Sequence, residues 1–207
     1  MPRPVDTRLD VRADAGGKDP DGHSAALRGF HRALWSKPLP SGALFELDDR
    51  LCHASDLGEF RLSSDAIAHT YSTWQRPQAL VEARSGVPEE EIDAFFALGC
   101  TVGAYTVFPR PVYVSGKPPL SINQARGIHP RIRDRFDLTL ECIRRDYLGI
   151  AHPLEPTLRW YRDFFALFDD FAGYVSFFLL QDLVTDDLQA VRFLTDFDDF
   201  QRTALPS

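Results

Sequence analysis

Cysteines are scarce in this sequence, and their placement argues against a chain stabilised by cross-links. Of 207 residues only Cys52, Cys100 and Cys142 are cysteines, and no two of them form a Cys-x-x-Cys pair. An odd number of widely spaced cysteines predicts neither a disulfide framework nor a zinc site. We therefore expect reduced thiols and a cytoplasmic location.

Long apolar runs are also missing. A membrane-spanning helix needs about 20 apolar residues, but the most apolar stretch, residues 174–180, ends at Gln181 and Asp182. The first residues, Met-Pro-Arg-Pro-Val-Asp, lack the apolar centre of a signal peptide. Neither secretion nor membrane insertion is expected.

Basic residues are outnumbered, with 23 Lys and Arg against 30 Asp and Glu and a net charge of −7. Because non-specific nucleic-acid affinity comes mainly from counterion release by Lys and Arg, general nucleic-acid binding is not expected, although a local basic site is allowed. A chain of this length can bury a single core. We predict one globular domain over residues 1–207 with short flexible termini.

Several catalytic motifs are absent from the sequence. It has no Gly-x-x-x-x-Gly-Lys phosphate loop, no His-Glu-x-x-His, no Gly-x-Ser-x-Gly and no Gly-x-Gly-x-x-Gly. Six histidines show no metal-ligand spacing. These absences argue against the common nucleotide hydrolases, zinc proteases, serine hydrolases and dinucleotide-binding enzymes.

The first two thirds of the chain are predicted to mix strands and helices. Residues 8–14 alternate polar and apolar side chains, as a half-buried strand does. Ser24 is placed to cap a helix whose buried face holds Leu27, Phe30, His31 and Leu34. Further strands are predicted at 43–47, 59–62 and 66–71. A helix is predicted from Pro88 to Gly99, with Ile92, Phe95 and Phe96 on its buried side, followed by a buried strand at 100–108 that ends at Pro109 in a long loop.

The last third is predicted to be mostly helical. A helix over residues 130–147 carries one apolar stripe, formed by Ile132, Phe136, Leu140, Ile143 and Tyr147. Helices are also predicted at 155–168 and 170–183, the latter apolar on nearly all sides and therefore central. The fold class that follows is α+β, with a small, mainly antiparallel sheet packed against a C-terminal helical layer.

Acidic side chains share the polar side of the 130–147 helix. Asp134, Asp137 and Glu141 follow one another at helical spacing, so three carboxylates can lie on one face. Such a group can hold Mg²⁺ or Mn²⁺, or supply a general base. The favoured alternative is a ladder of ion pairs stepping by four residues, each link worth about 0.2 to 0.5 kcal/mol, formed by Arg133, Asp137, Glu141 and Arg145.

Amide and guanidinium donors lie just before the same helix. Free backbone N–H groups at a helix N-terminus favour anions, and arginine offers a planar fork to phosphate or carboxylate. This pattern predicts a phosphate or nucleotide site whose substrate-binding residues are Asn123, Gln124, Arg126, His129, Arg133 and Arg144. A loop held by contacts of its own side chains to its backbone is the favoured alternative.

Two weaker candidate sites lie nearer the N-terminus. Asp19-Pro20-Asp21 can bind a divalent cation, but a solvated turn is the favoured interpretation because glycine follows. Lys37 can lie beside a substrate anion, whereas an unengaged lysine exposed to solvent is the favoured alternative.

Several sequence segments resemble those of a family of uncharacterised bacterial proteins. They are Leu-Trp-Ser-Lys-Pro-Leu-Pro-Ser-Gly at 34–42, Gly-Glu-Phe-Arg-Leu-Ser-Ser-Asp at 58–65, Ile-Asn-Gln-Ala-Arg-Gly at 122–127, Asp-Arg-Phe-Asp-Leu-Thr-Leu-Glu-Cys-Ile-Arg-Arg at 134–145 and Phe-Phe-Leu-Leu-Gln-Asp-Leu-Val at 177–184. The resemblance implies a bacterial, intracellular, stand-alone protein. It implies no activity and no functional residue.

Three functional hypotheses follow. The first is an enzyme or binding protein for a phosphate-bearing small molecule such as a nucleotide, with Asp134, Asp137 and Glu141 as catalytic residues or ligands of Mg²⁺ or Mn²⁺. The second is a non-catalytic interaction or regulatory protein with a protein partner. The third, weaker one is local nucleic-acid binding through Arg126, Arg131, Arg133, Arg135, Arg144 and Arg145.

Overall fold

A computed structural model describes residues 6–35, 37–44, 52–55, 58–66, 86–113, 121–122, 125, 136–192, 194 and 197–198. Its helices are α1 (Val11–Asp14), α2 (Pro20–His23), α3 (Ala25–Trp35), α4 (Glu89–Gly99), α5 (Phe136–Tyr147), α6 (Glu155–Leu158), α7 (Arg162–Ala166) and α8 (Phe171–Phe178). Its strands are β1 (Cys52–Ser55), β2 (Gly58–Ala66) and β3 (Tyr105–Tyr113). The expected mixture of α and β structure is confirmed.

The strands pair in the order β1-β2-β3, and both pairings are antiparallel. In the register of the first pair Cys52 lies opposite Arg61, and in the second Ser64 lies opposite Val107. The predicted strand at 59–62 lies inside β2.

The prediction that the chain enters a loop at Pro109 is wrong, because β3 continues through Pro109 and Pro111 to Tyr113. Among the described residues β3 is an outer strand, where proline is tolerated because one side of the strand needs no hydrogen-bond donors.

The predicted strand at 8–14 is wrong, because residues Val11–Asp14 form α1. The side chain of Asp10 accepts hydrogen bonds from the backbone N–H groups of Arg12 (2.8 Å) and Ala13 (3.0 Å), and this N-cap outweighs the alternating pattern. The residues around the cap still pair in an extended manner, since Val102 N donates to Leu9 O at 3.0 Å.

Helix α3 begins where the sequence predicts. The Ser24 hydroxyl accepts from Leu27 N at 3.0 Å and satisfies one of the N–H groups that a helix start leaves open. Leu27, His31 and Leu34 are buried as expected. A small core cluster forms here from Val11, Leu27 and Val102, with Leu9, Ala26, Phe30 and Tyr105 packed against it.

Helix α4 also matches its predicted bounds, and its first turn carries Glu89, Glu90 and Glu91 at the positive end of the helix dipole. Ile92 is buried as expected, but Phe95 is 42% exposed, so its predicted burial is wrong. The side chain of Phe96 lies outside the described residues, as do residues 45–47 and 67–71 of two predicted strands. Ala43 and Leu44, the described part of the first of these, form only a single bridge from Leu44 to Pro38.

Two long predicted helices are shorter in the structure. Residues 155–168 divide into α6, a 3₁₀ turn at Arg159–Tyr161, and α7. Helix α8 stops at Phe178 because Leu179 adopts a left-handed backbone with φ of 60°, and a 3₁₀ turn follows at Gln181–Leu183. Left-handed residues end many helices, although glycine is the usual choice.

The larger core cluster surrounds α5. From Phe136 to Ile143 every side chain of α5 except Asp137 is buried. Aromatic rings from α7, α8 and their connection pack beside it, with Phe168 and Phe177 centroids 5.0 Å apart and Tyr174 and Phe178 centroids 4.8 Å apart. Phe108 of β3 reaches the same cluster and contacts Phe136. The first half of α5, including Glu141, is thus buried except at Asp137.

Candidate functional site

A buried carboxylate held by two arginines lies near the middle of α5. Arg144 donates from Nε to Glu141 Oε2 at 2.8 Å and from Nη2 to Oε1 at 2.9 Å. Arg145 donates from Nε to the same Oε1 at 2.8 Å. The three residues meet because positions three and four apart face each other on a helix. We call Glu141, Arg144 and Arg145 the arginine cluster.

The arginine cluster is largely removed from solvent. The exposed fraction of the side chain is 3% for Glu141, 13% for Arg144 and 24% for Arg145. Burial alone raises the pKa of Glu141, but the hydrogen bonds and positive charges of Arg144 and Arg145 outweigh it and lower that pKa. The hydrogen bond to Glu141 in turn raises the pKa of Arg144. The lowered pKa of Glu141 and the raised pKa of Arg144 keep both groups charged at neutral pH. With the guanidinium of Arg145, the cluster carries one excess positive charge.

Phe197 covers one face of Arg145. The guanidinium carbon lies 4.2 Å from the centroid of the Phe197 ring, and the ring itself is buried. With Nε bound to Glu141 and one face on the ring, the plane of the guanidinium is fixed. Within the described part of the chain, the terminal amino groups of Arg145 make no hydrogen bond.

The neighbouring acid, Asp146, contacts a histidine and not the arginine cluster. Its carboxylate contacts the buried His152, with 3.1 Å between Oδ1 and Nε2. It makes no ion pair with Arg145 in the portion of the chain that the structure describes. His152 also has a buried Nδ1 without a hydrogen-bond partner among these residues.

The structure places only part of the predicted site. Glu141 and Arg144 meet in the arginine cluster, while Asp137 lies half-buried one turn earlier on α5. The other predicted site residues lie outside the described residues, namely Asn123, Gln124, Arg126, His129, Arg133 and Asp134. Among described residues no three His, Cys, Asp or Glu side chains come close enough to share a metal ion. The predicted metal and substrate roles stay predictions.

The ion-pair ladder found from the sequence contains one bond that the structure shows, between Glu141 and Arg145. The sequence analysis did not predict two further contacts of the cluster. The bidentate bond from Arg144 to Glu141 could have been predicted, because the two residues are three apart on a helix. The contact of Arg145 with Phe197 joins residues far apart in sequence and has no local signal.

Lys37 is engaged with the protein itself. Its Nζ donates to Phe177 O at 2.6 Å, at the C-terminal end of α8, and lies 5.0 Å from the centroid of the Phe177 ring. Positive charge is favoured at this end of a helix. Burial lowers the pKa of Lys37. Lys37 thus links the segment that follows α3 to the end of α8. This corrects the favoured expectation of an unengaged, solvent-exposed side chain.

Among the residues that the structure describes, no helix combines the length and hydropathy needed to cross a membrane.

The structure defines a mixed α and β protein with an aromatic-rich core and, on α5, a buried glutamate bound by two partly buried arginines. A model of a family of unknown function, DUF6994, matches residues 5–207, and the chain therefore belongs to that family. Neither the curated proteins nor the solved structures contain a match to the chain.

Proposed function

We propose that the chain binds a small phosphate-bearing anion, most simply a nucleotide, through Arg144 and Arg145. The observation that carries the proposal is the pair of partly buried guanidinium groups fixed on one buried carboxylate, Glu141. Arginine is suited to phosphate because its planar fork donates parallel hydrogen bonds.

The charge balance supports an anionic ligand. Among the described residues two guanidinium cations face one carboxylate, and their side chains are 13% and 24% exposed, so the excess charge is shielded by little water. A partly desolvated charge without a counterion is costly. A bound anion supplies the counterion and uses the terminal amino groups of Arg145.

In this proposal Glu141 is a positioning residue. Both of its oxygens accept hydrogen bonds from arginine, and its pKa is lowered, which makes the carboxylate a weak base. Binding is therefore better supported than proton transfer. The hypothesis of Mg²⁺ or Mn²⁺ held by Asp134, Asp137 and Glu141 fits this geometry less well, because a metal ion has to compete with two guanidinium groups for Glu141.

The proposal retains the contacts predicted just before α5. Asn123, Gln124, Arg126, His129 and Arg133 are expected to extend the donor set toward the rest of the ligand. It also retains the expected arrangement of a small antiparallel sheet against a C-terminal helical layer, which the contact between Phe108 of β3 and Phe136 of α5 supports. We further propose that the protein is bacterial and cytoplasmic; the free thiols of Cys100 and Cys142 fit a reducing compartment.

The test is a thermal-shift panel of nucleotides and metal ions on the wild type and on matched lysine variants. Arg144→Lys and Arg145→Lys keep the charge that Glu141 needs but lose the planar fork. At a hundredfold excess over Kd a ligand stabilises by about 2.7 kcal/mol, or roughly 5 to 10 °C. We expect that shift in the wild type and its loss in both variants.

Arg162→Lys is the control, because Arg162 is exposed and outside the cluster. It should keep the full ligand shift. Arg126→Ala should reduce the shift while leaving the unliganded melting temperature nearly unchanged. A panel without any hit, or lysine variants that respond like the Arg162 control, would contradict the proposal.

A protein-interaction role is the second candidate, and exposed apolar side chains favour it. Leu98 is 65% exposed and Leu179 is 67% exposed. This role predicts no hit in the panel and a defined partner that Leu98→Ser or Leu179→Ser releases. Local nucleic-acid binding, the third hypothesis, predicts an affinity that falls steeply between low and physiological salt.

A further inference from the structure

The donors left over in the arginine cluster define the shape and charge of the anion. Among the described residues, Arg144 donates through Nε and one N–H of Nη2 to Glu141, which leaves Nη1 and the second N–H of Nη2. Within the same residues Arg145 donates through Nε alone, which leaves both terminal amino groups. Since Arg144 Nη2 and Arg145 Nε share the oxygen Oε1, the two guanidinium groups lie side by side. Their remaining amino groups are the donors that the inference assigns to the ligand.

From this donor set we infer that the ligand presents a terminal phosphate monoester. The inference rests on the proposed function and names the chemical class of its ligand. A monoester has three free oxygens and a charge of about −1.5 to −2 at neutral pH. A carboxylate or a phosphodiester has two free oxygens and a single charge. The monoester therefore offers more acceptor oxygens and more negative charge to the remaining amino groups of both arginines than the other two classes do.

Electrostatics favour the same class. Coulomb attraction grows in proportion to ligand charge, and it is weakened least where water is excluded. The cluster is partly buried and carries a net positive charge, so a dianion gains more than a monoanion of the same size. Phe197 contributes by holding the plane of Arg145, which removes the entropy cost of ordering that side chain when the ligand binds.

Isothermal titration calorimetry on the full chain tests the inference with adenosine 5′-monophosphate, 3′,5′-cyclic adenosine monophosphate and adenosine. These probes share the base and the ribose and differ only at phosphate. At pH 7.5 we expect the monoester to bind at least about tenfold more tightly than the cyclic diester, because each lost charge-assisted hydrogen bond costs more than a factor of ten in affinity. We expect adenosine to bind most weakly.

Ribose 5-phosphate and inorganic phosphate separate the sources of the phosphate group. Binding of either one with an affinity near that of the nucleotide assigns the site to the phosphate itself. Much weaker binding of both shows that the base adds contacts, and both results support the monoester. Equal affinities for the monoester and the cyclic diester overturn this inference while leaving the proposed function intact. If no probe binds, the inference and the proposed function fail together.

A pH series provides a second measurement. A phosphate monoester takes up a proton with a pKa of about 6, so its affinity should fall several-fold between pH 7.5 and pH 5.5. The cyclic diester keeps its charge over this range and corrects for titration of the protein. A pH response that is the same for both ligands contradicts recognition of the dianion.

Arg145→Lys and the control Arg162→Lys complete the design. The first should bring the affinities for monoester and diester close to each other, because the compact lysine ammonium lacks the planar donor fork that bonds to several oxygens. The second should leave the preference unchanged. If Arg145→Lys keeps the full preference for the monoester, Arg145 does not distinguish the monoester from the diester and the inference is wrong.

Discussion

The buried hydroxyl of Ser24 joins two helices: it donates to Asp14 Oδ2 at 2.7 Å while accepting from Leu27 N at 3.0 Å. The same carboxylate oxygen accepts from Ala26 N at 3.0 Å. Asp14 at the end of α1 and Ser24 just before α3 therefore satisfy two of the backbone donors that open the start of α3. A side chain distant in sequence has become part of the helix cap.

Replacing Ser24 by alanine should destabilise the protein by about 1 kcal/mol, the usual cost of a lost N-cap. Urea denaturation at pH 7 measures the change. Ser41→Ala is the control, because Ser41 is exposed. A Ser24→Ala protein with the urea midpoint of the wild type would show that Asp14 alone suffices as a cap.

Stability should also depend on pH through Asp14. The backbone N–H of Ala26, and then the hydroxyl of Ser24, lower the pKa of Asp14 below its ordinary value. A carboxyl with a lowered folded pKa contributes stability that is fully present above its unfolded pKa and is lost as pH falls through the folded value. Asp14→Asn should therefore destabilise at pH 7 and show a smaller further loss in acid than the wild type. Parallel urea titrations from pH 7 to pH 2.5 test this, and curves of equal slope contradict it.

Gly173 in α8 allows close approach of the backbone before the helix. A Cβ built there would lie 2.0 Å from the carbonyl oxygen of Phe168, which is far inside contact distance. Gly173→Ala should cost on the order of 1 to 3 kcal/mol or more, because backbone has to move. Gly29→Ala is the matched control: a Cβ at this helical glycine meets nothing within 4 Å, and the substitution should stabilise by roughly 0.5 to 1 kcal/mol. Thermal melts of both variants measure the opposite signs, and equal effects would refute the steric argument.

The contact between Arg145 and Phe197 should have a measurable coupling energy. Phe197→Leu keeps an apolar side chain and removes the ring, while Arg145→Met removes the charge. A double-mutant cycle built from them should give a coupling of about 0.5 to 2 kcal/mol, the range of cation–π pairs from exposed to desolvated sites. A coupling within experimental error of zero means that the ring acts only as apolar cover.

Cys142 should resist modification in the folded protein. Burial, the largest cause, raises the pKa of its thiol to about 12, so almost no thiolate exists at pH 8. In a Cys52→Ser background, a thiol reagent should label the half-buried Cys100 and leave Cys142 unmodified until urea is added. Mass spectrometry of peptides assigns the label, and rapid modification of Cys142 in native buffer would contradict its burial.

Local signals predicted the starts of α3 and α4 because capping and the helix dipole depend on a few adjacent residues. Ser24 and the run from Pro88 to Glu91 are such signals. The same kind of interaction explains a failure, since the cap from Asp10 overrides the alternation that predicted a strand at 8–14.

Other features were not accessible from the sequence because they depend on tertiary contacts. The strand β3 tolerates Pro109 and Pro111 owing to its place in the sheet. The burial of Glu141, which a charged helix face does not predict, follows from the packing of aromatic side chains around α5. The hydrogen bonds from the two arginines offset the desolvation of its carboxylate. Of the candidate site, the spacing predicted the bond from Glu141 to Arg145, while Phe197 could be found only in three dimensions.

Helix α3 contributes to both apolar clusters, with Leu27 in the small one and Leu34 in the large one. Helical hydrogen bonds make the span between these two leucines a stiff rod. We therefore expect loss of order at one cluster to disturb the other, so the amides around Val11 and those of α5 should exchange with solvent as parts of one cooperative unit. A helix-breaking change between the two leucines would divide that unit and allow the N-terminal segment to open by itself.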